Sequence, residues 1–420
     1  MIRRLPGKQN CPNCNPVFTK GGDTLVKDTE EKIIPLSSGR NNPRRRARKV
    51  SKFRIFFVSL LFAAILLGLI AFVVFRDDIS ASTAAELAAD LWNRLTSGDT
   101  HQPLLFSDFM LGKAELFRDH LALLSPSNLS VFSLSGRHTL QEELSLHTPA
   151  LAASDRTLAI YDRGGHEIII TGTNTVLWRQ TLPAPILTVR MNPKGDFVAV
   201  TFPEGASSRA TLYNASYEPQ YQWDASSFYI VDAAVSDKAD KLALIAMGLS
   251  GAEMTGRLLI LDTQSETPLF THDFSGELPR HVAFVREGLV TVITDSHVYT
   301  WADGQLTKSY SYADAQLQDF VVCREATALL TADTGANSQI IWLDNKGQLV
   351  GQYDFEGDFV LFSLSTDNLF VWHNERLFRY RRDQTQADEQ PLPNVKKILA
   401  RLDNSVVALF ENSAQILTFS

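Results

Sequence analysis

A short apolar segment recurs eight times between Leu121 and Glu411, at a spacing of about 40 residues, and this period constrains the fold more than any other feature. It reads LALLS from Leu121, LAIYD from Leu158, FVAVTF from Phe197, LALIAM from Leu242, LVTVITD from Leu289, ALLTAD from Ala328, LFVWHN from Leu369 and VVALFE from Val406. Each copy leads to a second apolar run that ends in a polar turn, such as IIITGTN from Ile168 or IIWLDNKGQ from Ile340. A third run often follows (VLWRQTL, PLFTHDF, LVGQYDF), and a less regular one precedes (ILTVRMNP, YIVDAAVSD, HVAFVRE). Such runs of β-branched and aromatic residues, separated by Asp, Asn and Gly, are strands joined by tight turns. Four strands in about 40 residues make one blade of a β-propeller. Solenoids of similar period need helices, and none is evident in these units. The expected fold is therefore all-β: a propeller of eight blades, or of seven if one unit is irregular.

The ends of the repeat suggest how the ring closes. The eighth unit reaches Ser420 one strand short, and PLLFSDFML at 103–111 precedes the first unit as a spare strand. Pairing the two removes exposed sheet edges. In the spare segment Leu105 and Phe109 fall on one face and Leu104, Phe106 and Met110 on the other, as in a strand buried on both sides.

N-terminal to the propeller, Ile55–Phe75 reads IFFVSLLFAAILLGLIAFVVF, without one charge. At about 1.5 Å per residue this run crosses a hydrocarbon core of about 30 Å. A cleaved signal peptide would carry its apolar region nearer the N-terminus, so the run reads as an uncleaved transmembrane helix. Arg44, Arg45, Arg46, Arg48, Lys49, Lys52 and Arg54 flank one side, and Asp77 and Asp78 the other. The positive-inside rule places the N-terminus in the cytoplasm and the propeller outside. The net charge of −7 conceals this division: residues 1–54 carry 14 Lys and Arg against 4 Asp and Glu. The basic cluster beside the membrane is topogenic and implies no nucleic-acid partner. The expected organisation is a disordered basic tail (1–54), the anchor (55–75), a linker with a short helix capped at Thr83 (76–102), and the propeller (103–420).

The chemistry of the chain is sparse. Cys11 and Cys14 form a Cys-x-x-Cys pair in the tail. Two thiolates hold half of a tetrahedral zinc site, so a clasp needs the same pair from a second chain. Free reduced cysteines are the plainer reading of a lone pair. Cys323, in an apolar run, reads as a buried small hydrophobe. The nine histidines include no His-x-x-x-His pair, and there is no Gly-x-Ser-x-Gly elbow and no phosphate-binding loop. Asp237-Lys238-Ala239-Asp240 reads as a solvated turn. Trp301, Trp342 and Trp372 lie on strands and read as core.

The second-strand pattern apolar-x-apolar-Asp-x-x-Gly-x-apolar is clearest at Ile341–Val350, with a shortened Asp-Gly form at Val298–Leu306. It resembles the repeats of the pyrroloquinoline quinone-like and WD-repeat propeller superfamilies. The resemblance implies that Trp178 and Trp223, near the ends of third runs, dock one blade on the next. The whole layout looks like bacterial membrane-anchored propeller proteins, a likeness that names no activity. No enzyme is expected from these residues. The reading that follows is an extracytoplasmic binding or scaffolding module for protein or cell-envelope partners. The alternatives are a sensor signalling through the Cys-x-x-Cys tail and a quinoprotein-like enzyme.

Overall fold

The computed structural model describes residues 104–106 and 113–419, apart from 252, 334–336, 358–359 and 385, together with Phe62. The tail, Cys11 and Cys14, the linker helix and all of the apolar run but Phe62 lie outside the described residues. Among the described residues no helix is long and apolar enough to cross a membrane.

Every described element of the repeat is a strand, and the strands form eight four-stranded antiparallel sheets. Seven sheets use four consecutive strands, so each is one blade: 114–143, 149–181, 186–225, 229–274, 279–311, 316–356 and 361–391. Blade eight takes three strands from 397–418 and its fourth from Leu104–Leu105. The eight-bladed expectation holds. The recurring apolar segment is the second strand of each blade, and it is buried on both faces because it lies between two neighbouring blades. His120–Leu124, Leu158–Asp162, Phe197–Thr201 and Ser405–Leu409 are buried along their whole length. The fourth strands are the most exposed, as in Val176–Thr181. First strands of successive blades touch one another around most of the ring, which places them innermost.

Ring closure follows the expected pairing in a shorter form. Leu104 pairs with Ala414 and Leu105 with Ser413, and the Phe106 N–H donates to the Asn412 carbonyl at 3.1 Å. The burial of this strand differs from the expectation. Leu104 is buried, but Leu105 is 75% exposed. An outermost strand offers only one face to the neighbouring blade, so only alternate residues are covered. Leu104 packs there with Ala114, Leu121, Leu123, Val407 and Leu409, a cluster shared by blades eight and one. Blade one also has an inner strand, Ala114–Phe117, that the sequence pattern did not set apart from the spare segment.

The tryptophans are placed as the resemblance implies. Trp178 of blade two meets Phe197, Tyr213 and Tyr217 of blade three at ring separations of 6.0, 6.2 and 5.5 Å. Trp223 packs on the core shared by blades three and four. Trp301, Trp342 and Trp372 are buried. Cys323 is only half-buried, and burial pushes its thiol up. The Asp-x-x-Gly pattern has a local cause in blade six. Asp344 Oδ1 accepts from the backbone N–H groups of Lys346 and Gln348, both at 2.8 Å. The turn then needs Gly347 at φ +76°, where a Cβ would meet Ser309 Cβ at 2.3 Å.

Candidate functional site in the central channel

The inner strands carry the polar residues of this site, and a repeated irregularity sets their aim. In blades three, four, five and six the pairing of the first strand with the second slips after its start, between Ile186 and Thr188, Ile230 and Asp232, Pro279 and His281, and Leu317 and Asp319. An extra residue in one strand of a pair is a β-bulge, which bends the strand and re-aims the side chain beyond it. Thr188, Asp232, His281 and Asp319 therefore occupy the same position in four successive blades. The described first strands of blades one, two, seven and eight show no such slip.

Three of these blades are joined through one carboxylate. Asp232 is 3% exposed. Its Oδ1 accepts from Arg190 Nε of blade three at 2.7 Å, and its Oδ2 pairs with His281 Nδ1 of blade five at 2.6 Å. The Val282 N–H adds a longer contact to Oδ2 at 3.4 Å. Burial favours the protonated acid, but the charges and hydrogen bonds of Arg190 and His281 outweigh it and hold the carboxyl at about 2. His281 in turn lies 5.0 Å from the ring of Phe320 in blade six.

On the other side of the ring, Lys397 of blade eight donates to the Ala114 carbonyl of blade one at 2.9 Å. Enclosure pushes the Glu115 carboxyl up and the Lys397 ammonium down, each opposed by the attraction between the two. Lys397 also feels Asp319 of blade six. Desolvation outweighs pairing here, as expected where two ions share a confined wall.

The face where first strands turn into second strands is tied blade to blade. Asp119 meets Arg401 at 3.4 Å, the Asn192 amide donates to the Ser236 carbonyl at 2.9 Å, and Asn368 donates to Asn404 at 2.7 Å. Arg286 of blade five also bridges Glu325 of blade six. Asp237 belongs to this network. It binds Arg324 of blade six at 2.8 Å, while Asp240 accepts from Ser236 and Lys241. The Asp237–Asp240 segment is thus a turn, as read, but a tied one. A cleft of about 350 Å³ opens on this face between blades eight, one and two, lined by Arg118, Asp119, Asp155, Arg401, Leu402 and Asp403 among others.

The candidate metal ligands Cys11 and Cys14 lie outside the described residues. Among the described residues no group of three or more His, Cys, Asp or Glu is placed to hold a metal ion. The channel cluster was missed in the sequence. Its signal was a polar residue inside an inner-strand run, Asp232 in YIVDAAV and His281 in PRHVAFV. Only the bulge brings the two together.

The fold and its channel define the class: an eight-bladed β-propeller closed by a strand from before its first blade. Within that class the chain belongs to a family of unknown function (DUF5711), which matches residues 108–416. No curated protein matches it. Among solved structures it is similar to BamB from Moraxella catarrhalis, at 12% identity and a TM-score of 0.49, over 76% of this chain and 100% of that one. It is similar to the β-propeller domain of Cps50 (Swd1) from Myceliophteria thermophila, at 12% identity and a TM-score of 0.44, over 76% and 100%. It is also similar to the C-terminal WD40 domain of Sif2, at 13% identity and a TM-score of 0.47, over 76% and 97%.

Proposed function

We propose that this chain is a single-pass membrane protein that displays its propeller outside the cytoplasmic membrane. There it serves as a non-catalytic binding or scaffolding module for a protein or cell-envelope partner. The observation that carries this reading is the closed ring. Its ends are paired and its turns are tied across blades, so its faces keep one shape and a partner gains contacts at little ordering cost. Display outside is supported by the uncharged Ile55–Phe75 run and the arginines and lysines before it. Protease added to intact protoplasts is expected to digest the propeller and spare the tail. Protection of the propeller until the membrane is opened would reverse the assigned orientation.

The tail supports a second, sensing role on the same topology. Cys11 and Cys14 from two chains supply four thiolates, enough to close one tetrahedral zinc site and pair two tails. A peptide of residues 1–54 is expected to dimerise on titration with Zn²⁺, and Cys11→Ser to prevent it. A peptide that stays monomeric at saturating zinc contradicts the clasp.

A further inference from the structure

The buried carboxylate of Asp232 leaves its two partners only partly used. Both of its oxygens are occupied, Oδ1 by Arg190 and Oδ2 by His281 and the Val282 N–H. Arg190 gives it only Nε. Among the described residues no protein atom accepts a hydrogen bond from either terminal nitrogen of Arg190, and none partners Nε2 of His281. The Arg190 side chain is 39% exposed, against 4% for Asp232. The guanidinium is therefore held at one edge by a buried anion, while its other edge has no protein acceptor among the described residues.

We propose that this open edge, with the adjacent His281 ring, is a binding site for a single oxyanion, a carboxylate or a phosphate, in the channel of blades three to five. A planar guanidinium fixed through Nε presents its two terminal nitrogens as a fork that matches two oxygens of such a group. Asp232 fixes the fork in place before the ligand arrives, and both of its oxygens are already hydrogen-bonded. The enclosing wall weakens solvent screening, so the pairing is stronger here than at an exposed arginine. The neighbouring bulge positions bound the site. Blade three offers the neutral Thr188, which is buried, and blade six offers the acid Asp319, whose charge opposes an anion on its own side and so confines the ligand to the Arg190 side. Across the channel Lys397 is already engaged by the Ala114 carbonyl and by the charge of Glu115. The site does not depend on where the propeller is displayed.

The test is isothermal titration of the full chain in detergent micelles, with inorganic phosphate in one arm and acetate in the other. Saturable binding of one anion per chain is expected in at least one arm, and the stronger arm identifies the headgroup. Arg190→Lys keeps a charge beside Asp232 but loses the fork, and it is expected to weaken binding by about tenfold or more. Because that variant also touches an inter-blade tie, its melting temperature is measured beside the wild type. Crystals of the wild-type chain grown with the bound anion provide a readout independent of any variant: density within hydrogen-bond reach of the Arg190 terminal nitrogens. No saturable binding in either arm overturns the site. So does a folded Arg190→Lys that binds as tightly as wild type, or anion density elsewhere with none at Arg190.

Discussion

A chain beginning at Gly98 is expected to melt cooperatively and remain monomeric, whereas one beginning at Gly112 loses several kcal/mol and aggregates. The longer chain keeps Leu104 and Leu105, whose pairing with Ala414 and Ser413 completes blade eight. The shorter one exposes the edge of Ser413–Thr418 and uncovers Ala414, Val407 and Leu409, all at 0% exposure in the closed ring. An open apolar edge is a template for pairing with another chain. The lost contacts also amount to a large share of a marginal stability of about 5–15 kcal/mol. Denaturant midpoints and light scattering on the two chains decide it. Equal midpoints would mean that the N-terminal strand closes nothing of consequence.

Asp232→Asn is expected to cost about 2 kcal/mol, because it leaves Arg190 and His281 without their buried counter-ion; the partial exposure of Arg190 keeps the loss below that of a fully buried pair. The carboxyl also sets a pH dependence. It sits at about 2 in the fold against an ordinary 3.8. A lowered folded value gives stabilisation that is complete above the ordinary value and is lost as the pH falls through the folded one. That contribution, roughly 2 kcal/mol by linkage, disappears between about pH 4 and about pH 2. The Asn variant lacks this step, so the two stability curves should converge in acid. Parallel curves would remove Asp232 from its assigned part in joining three blades.

The second strands made the architecture legible. LAIYD and FVAVTF are apolar at every position because each lies between two blades, so burial erased the usual alternation and left a run that repeats visibly. The Asp-x-x-Gly turn at Asp344–Gly347 was legible because its side-chain hydrogen bonds and positive φ admit few residues. The channel site was not legible in this way. Arg190, Asp232 and His281 lie in three different blades, and no spacing in the chain links them. Their meeting depends on bulges that add one residue to a strand, a register change that apolar patterning alone does not reveal. The inner strand Ala114–Phe117 was obscured for a related reason, since AELF is short and carries Glu115 at the channel wall. The closing strand showed its position but not its burial, because Leu104, Leu105 and Phe106 look alike in sequence and differ only in which face meets blade one.

The central claim, that a closed propeller presents fixed faces to a partner, is tested most directly by photo-crosslinking in living cells. The crosslinker is placed at Leu402, on the face of the first turns, or at Leu249, on the opposite face; these residues are 87% and 70% exposed. A discrete adduct of one defined mass from one face, absent from a strand position inside a blade such as Val198, is the predicted result. No adduct from any turn position on either face, with the protein expressed and folded, would contradict it.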